Sequence, residues 1–206
     1  LGTSPCMNAT ATLTVAVRQA PNAGADSSIT VCSNDAVLNL IDQLAGNPDG
    51  SGTWTGLGGA HSGQFQPGID PGGAYVYHVI GQAPCAPAMA TVQITVHPAP
   101  DAGTSSSVVK CSNNASFTLI SQLGGTPDAG GSWTGPTNQP FPSGNFLPGA
   151  TPPGLYTYKV TGLSPCVPAT ATVNVSVITA PNAGSHGAHT VCSSDGSFSV
   201  GLVVRM

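Results

Sequence analysis

Along Ala88–Val96 apolar and polar residues alternate, with Val92, Ile94 and Val96 on one face and Thr91, Gln93 and Thr95 on the other. The same alternation returns at Val173, Val175 and Val177 against Thr172, Asn174 and Ser176, and at Leu13, Val15 and Val17 within Thr12–Val17. A period of two predicts half-buried β-strands. The preceding apolar stretches place Tyr75, Tyr77 and Val79 on one face, then Tyr156, Tyr158 and Val160. After each early cysteine the period shifts. Leu38 and Leu40 alternate, then Ile41 and Leu44 take three-residue spacing, which predicts one helical turn; Phe117, Leu119, Ile120 and Leu123 repeat the shift. The pattern predicts strands at roughly 28–32, 37–41, 52–56, 63–66, 74–81 and 90–97, paired antiparallel through short connections.

These segments are copies of one unit. PNAG at Pro21–Gly24 returns as PDAG at Pro100–Gly103 and PNAG at Pro181–Gly184. VCSND at Val31–Asp35 returns as KCSNN at Lys110–Asn114 and VCSSD at Val191–Asp195. TWTG, SGQFQPG, GAYVYHV and the P-C-x-P-A segment each recur once more, and SPCMNATATLTVAV at Ser4–Val17 is a further copy of the last. The chain therefore reads as a window on an array. Residues 1–20 are the C-terminal part of one repeat, 21–99 and 100–180 are complete repeats, and 181–206 begin another. About 80 residues suit one small β-sandwich. The expected fold class is all-β, with tandem antiparallel sandwiches joined end to end through Pro-rich linkers that limit bending.

Composition narrows the function. Of 206 residues, 27 are Gly and 19 Pro, and only 6% are charged, which suits turns and strands rather than surface helices. Four basic residues cannot neutralise a phosphate track, so nucleic acid is excluded as a partner. No apolar run approaches the length of a membrane-spanning helix, so membrane insertion is not expected. Without an initiator Met or signal sequence, the chain reads as an excised piece.

The six cysteines, Cys6, Cys32, Cys85, Cys111, Cys166 and Cys192, alternate in spacing and point to disulfides in an oxidising setting. Two pairings compete. Within repeats, Cys32–Cys85 and Cys111–Cys166 would close, leaving Cys6 and Cys192 to partners outside the window. Between repeats, Cys6–Cys32, Cys85–Cys111 and Cys166–Cys192 would use all six. The last strand of a repeat carries the chain about 30 Å, at ~3.3 Å per residue, between Cys85 and the next repeat. Disulfide Cα atoms lie within about 7 Å, so the intra-repeat bonds are the expectation.

Other chemistry is weakly signalled. His186 and His189 form H-x-x-H in a non-helical context, and His61, His78 and His97 are scattered. Asp35, Asp49, Asp70 and Asp101 could be calcium ligands, but they form no D-x-D cluster, and Asx turns account for them better. No nucleophile elbow exists. Neither a metal nor a cofactor is expected, and the chain reads as no enzyme. N-x-S/T triplets begin at Asn8, Asn114 and Asn174. Trp54 and Trp133, with Tyr75, Tyr77, Tyr156 and Tyr158, are assigned to the core; an exposed Trp would instead suit a sugar ring.

The run of CSND, GGTPDAGGSWTG, the G-F-P and G-Y-Y-V segments, PC and ATATV resembles tandem immunoglobulin-like or PKD-like repeats of long surface proteins from gliding Bacteroidetes. The resemblance covers nearly all of residues 1–200 and stops at Gly201–Met206. It implies adhesins exported by the type IX secretion system and held at the cell surface, with immunoglobulin-like sandwiches. The function expected is a structural spacer in an extracellular filament or giant adhesin, its partners being neighbouring repeats. The alternatives are an array of polysaccharide-binding modules, and a fibre subunit whose homotypic contacts complete partial repeats by strand addition.

Overall fold

The structure is a computed structural model that describes residues 4–7, 9–184, 188 and 190–197. Two compact units divide the chain: Leu1–Ala99 with Leu163–Cys166, and Pro100–Gly162 with Val167–Met206.

In the first repeat the strands are β1 (Ser27–Cys32), β2 (Leu38–Asn39), β3 (Thr53–Gly56), β4 (Gly59–His61), β5 (Gln64–Phe65), β6 (Gly73–Val79) and β7 (Ala88–His97). The predicted helical turn is a 3-10 turn at Leu40–Gln43. One sheet has the order β1-β7-β6-β3-β4, and β2 pairs with β5. Pairing is antiparallel except for β1, which lies parallel to β7 from Ser27 opposite Val92 to Cys32 opposite His97. The period-two pattern gives every second residue of β6 and β7 to the interior. Tyr75, Tyr77, Val79, Ala90, Val92 and Ile94 pack with Trp54, Leu40 and Phe65 in one core.

The second repeat builds the same sandwich from β8 (Ser106–Cys111), β9 (Phe117–Thr118), β10 (Ser132–Thr134), β11 (Asn145–Phe146), β12 (Gly154–Val160) and β13 (Ala169–Ile178). The sheet order is β10-β12-β13-β8, with β9 paired to β11 and β8 parallel to β13. Its core repeats the first through Leu119, Trp133, Phe146, Tyr156, Tyr158, Val173 and Val175, with Lys110 standing where the first core has Val31.

Trp54 and Trp133 are each 7% exposed, and their indoles lie 4.8 and 4.9 Å from the rings of Tyr77 and Tyr158. Aromatic pairs at this distance add about 0.5–1.5 kcal/mol beyond burial. Space for the indole depends on a glycine. At Gly63, with φ +86°, a Cβ would stand 2.8 Å from Trp54 Cδ1, and Gly144 occupies the same place under Trp133. The phenols are hydrogen-bonded within their own repeats. Tyr75 Oη donates to the Pro71 carbonyl at 2.8 Å and Tyr156 Oη to the Pro152 carbonyl at 2.6 Å. This is the tyrosine corner of an immunoglobulin-like sandwich. Two residues later, where antibody domains place a core cysteine, stand the buried Tyr77 and Tyr158.

The segments Pro21–Gly24 and Pro100–Gly103 are each fastened into their own sandwich. Asn22 N–H donates to Asp49 Oδ2 at 2.8 Å, and Asp49 N–H donates back to the Asn22 carbonyl at 2.8 Å. Asp101 and Asp128 form the same reciprocal pair, and Ala23 and Ala102 are buried.

Thr10–Arg18 is not in a strand, contrary to the expectation from its alternation. Leu13, Val15 and Val17 are 87%, 74% and 91% exposed. Their counterparts in β7 and β13 have a neighbouring strand on each side, and among the described residues this segment has none.

Candidate functional site

The recurring chemistry of the chain lies at its cysteines. Cys32 and Cys111 each end a strand, and all three early cysteines open a tight box. Asp35 N–H donates to the Cys32 carbonyl at 3.0 Å, and Cys32 N–H donates to Asp35 Oδ2 at 2.8 Å. Asn114 does the same for Cys111, and Asp195 for Cys192. The serine that follows clamps the exit of the last strand. Ser33 N–H donates to the His97 carbonyl and Ser33 Oγ accepts from Ala99 N–H at 2.9 Å; Ser112 repeats this with Ile178 and Ala180. The C-S-x-D/N motif is thus a fastening between the first and last strands of a repeat.

Each late cysteine sits in a Pro-flanked turn, closed by Cys85 N–H to the Gln82 carbonyl and by Cys166 N–H to the Leu163 carbonyl, both at 2.8 Å. The turn Leu163–Cys166 belongs to the first compact unit. There Cys166 is bonded to Cys32 with a Cα–Cα distance of 5.0 Å, across 134 residues of sequence. Cys166 Sγ lies 3.6 Å from the His97 carbonyl oxygen and 3.4 Å from that of Pro98. The His97 ring fixes the same turn. Nδ1 faces the Ser164 carbonyl at 2.8 Å, and since a carbonyl only accepts, Nδ1 carries the proton.

The expected bonds Cys32–Cys85 and Cys111–Cys166 are therefore corrected. The parallel register of β1 with β7 is the reason. It sets Cys32 opposite His97, at the end of β7, whereas Cys85 precedes its beginning at Ala88. Ten strand residues at ~3.3 Å each put about 30 Å between those ends, too far for a disulfide. Cys85 and Cys111 are half-buried thiols, and Cys6 and Cys192 are exposed ones. A side-chain hydrogen bond with Ser194 holds the Cys192 thiol below its usual range.

The other candidates separate. Asp49, Asp70, Asp101 and Asp35 each accept from backbone N–H groups, Asp70 from Gln66 N–H at 2.7 Å. No group of three metal-ligating side chains gathers among the described residues. His61 Nε2 lies 3.7 Å from Asp70 Oδ2, beside a cleft of about 180 Å³ that Tyr75 also lines. Burial, then the Asp70 charge, pushes the Tyr75 phenol up; burial alone does so for Tyr156. His78 lies on β6, away from that cleft. His186, His189, Asn8 and Gly201–Met206 lie outside the described residues.

No protein-family model and no curated protein matches the chain. Solved structures that it resembles include Sidekick-1 immunoglobulin domains 1–5, at 16% identity and a TM-score of 0.31 over 79% of this chain and 42% of that one. Others are the titin I-band fragment I67–I69, at 13% and 0.35 over 79% and 68%, and the N-terminal four Ig domains of Dscam1 isoform 9.44, at 16% and 0.37 over 79% and 47%. The chain spans less than half the length of the Sidekick-1 and Dscam1 chains. Its own strand order, buried Trp and tyrosine corner make it an immunoglobulin-like tandem sandwich.

Proposed function

We propose that the chain is a stretch of spacer repeats from an extracellular filament or giant cell-surface adhesin, and that its work is mechanical rather than catalytic. The repeat register is 1–20, 21–99, 100–180 and 181–206, each segment a whole or partial copy. The observation that carries the reading is what the copies keep. Trp54, Tyr75, Tyr77, Phe65 and Leu40 have buried equivalents in Trp133, Tyr156, Tyr158, Phe146 and Leu119. Outward positions change: His78 becomes Lys159, and Gln93 becomes Asn174. A ligand site common to the repeats would hold outward residues constant, whereas a spacer needs only the core and the fastenings. The disulfide supports an oxidising location, as at a cell surface.

The mechanical consequence follows from the bond. A pull applied outside residues 32 and 166 is carried through the sulfur bridge, so the 134-residue loop lies off the load path. At ~3.4 Å per residue, about 450 Å of contour length is held back.

Single-molecule extension of the native protein tests this reading. Across these two repeats the oxidised chain is expected to extend less than the reduced chain by the whole length held in that loop. Equal extension in both states defeats the load-bearing role. Saturable polysaccharide binding lost on substituting surface residues would favour the multivalent binding array. A second reading draws on Leu13, Val15 and Val17, an alternating apolar row left uncovered by the described residues. In a fibre of separate subunits, another copy would supply the neighbouring strands. An intact native mass matching these 206 residues alone, together with concentration-dependent filaments, would favour that fibre.

A further inference from the structure

The bond that forms in one place has an equivalent place where it is half assembled. Cys166 Sγ rests against the carbonyl of His97, the last residue of β7 and the register partner of Cys32. Cys85 Sγ rests 3.7 Å from the carbonyl of Arg18. Arg18 occupies in SPCMNATATLTVAVR the position of His97 in APCAPAMATVQITVH. Even the side-chain support recurs: His97 bonds to the turn before Cys166 through Ser164, and Arg18 Nη1 donates to Gln82 Oε1 at 3.1 Å in the turn before Cys85. The turn of Cys85 therefore holds Arg18 as the turn of Cys166 holds His97. The remaining element of such a site is an early cysteine, which a parallel first strand would set opposite Arg18. At the other end Cys111 stands opposite Ile178, as Cys32 stands opposite His97, in the same Asx box and the same serine clamp.

We propose that Cys85 and Cys111 are disulfide sites for the flanking repeats. Cys85 takes the early cysteine of the repeat before it, and Cys111 the late cysteine of the repeat after it. The inference rests on the array reading above. Each bond forms by thiol–disulfide exchange with a disulfide oxidant: two cysteine thiols and R–S–S–R give the cystine and two RSH, the two protons and two electrons passing to the oxidant sulfurs.

The rule has a consequence for the whole array. Each bond spans 134 residues, while the next early cysteine follows after only 79, at Cys111. Successive covalent loops overlap, and no peptide bond inside the array lies outside every loop. Intra-repeat bonds would leave each joint spanned by the backbone alone. The overlapping bonds make the array a covalent ladder that one backbone cut, anywhere along it, does not sever.

Non-reducing peptide mapping of the native full-length protein tests this, combined with its intact mass. Cys85 should be recovered joined to a cysteine that ends a V-C-S-type segment from elsewhere in the protein, and Cys111 joined to a P-C-x-P-type segment. A single protease nick between repeats should release no fragment until a reductant is added. A mass far above that of these 206 residues, with Cys85 and Cys111 recovered as thiols or joined to each other, overturns the ladder and leaves the spacer standing. A native mass matching the 206 residues alone overturns the array reading and the ladder together. Cys32→Ser supplies a control in the same protein: it should free Cys166 and leave the bonds of Cys85 and Cys111 in place. Their loss in that variant would mean that the bonds reshuffle, and would overturn the register rule.

Discussion

Residues 9–18 and 169–178 read ATATLTVAVR and ATATVNVSVI, nearly the same sequence with the same alternation. The second is β13, between β12 and β8, with Val173 and Val175 at 0% and 1% exposure. The first makes no strand and leaves Leu13, Val15 and Val17 in solvent. Local preference is equal in both, so it does not decide the outcome. A strand is stable when its backbone groups and its apolar face find partners, and those come from residues far away in sequence. Strand preference describes fitness for a pleated, half-buried surface that other segments must supply.

Substitutions can break this comparison. The largest effect is expected at the indoles: Trp133→Ala should cost about 3–5 kcal/mol, because a large core side chain leaves a cavity. Thermal unfolding measures it, and an unchanged melting temperature would place the indole outside the core. Ile94→Ala should cost about 2–5 kcal/mol, whereas Val15→Ala, at the matching position of the unpaired segment, should change stability by less than about 0.5 kcal/mol. Equal losses would show that residues 10–18 are packed in solution. Were Val15→Ala to destabilise only a longer native chain, the missing partner strands would lie upstream.

A smaller effect is expected at the Asx box. Asn114→Ala removes the acceptor for Cys111 N–H at the end of β8, and about 1 kcal/mol should be lost by chemical denaturation. Losses near zero would show water replacing the amide.

The smallest effect separates the two repeats where their sequences differ. His61 and Asp70 of the first correspond in place to Phe141 and Thr151 of the second: Phe141 takes the edge-on contact with Tyr156 that His61 makes with Tyr75, and Thr151 accepts from Leu147 N–H as Asp70 does from Gln66 N–H. Both phenols are raised by burial, and Tyr75 also by the Asp70 charge. A raised folded-state phenol favours the neutral form. Its stabilisation is complete below the ordinary tyrosine range near pH 10 and is lost as pH rises through the folded value. Alkaline titration followed by phenolate absorbance should show both tyrosines ionising late. Asp70→Thr should lower the Tyr75 midpoint while leaving that of Tyr156 in place. An unmoved Tyr75 would leave burial as the whole cause.

Much of each sandwich is legible in local pattern, because burial imposes its period directly on sequence. The alternation in β6, β7, β12 and β13 marks the inward residues, and the three-residue step at Ile41 and Leu44 marks the 3-10 turn. The short hairpin strand β4, in a glycine-rich stretch, carries no such period, and nothing in the pattern marks it. The serine clamp and the reciprocal Asn22–Asp49 pair are equally hidden. Their motifs, C-S-N-D and P-N-A-G, recur visibly, but which distant backbone group each one meets is not written in them.

The sequence by itself determined the repeat, the all-β class, the inward faces and the aromatic core, since each follows from short-range periodicity and from comparing one copy with the next. Only the tertiary structure decided which cysteines meet. That choice turns on the direction of β1: laid parallel to β7, it carries Cys32 to the far end of the sheet from Cys85 and beside Cys166. An antiparallel or a parallel neighbour satisfies the same alternation equally well, so no local pattern distinguishes them. Tertiary structure also decided that Thr10–Arg18 lies open while its copies are strands, because the hydrogen bonds and apolar contacts that make a strand belong to the pair and not to either segment alone.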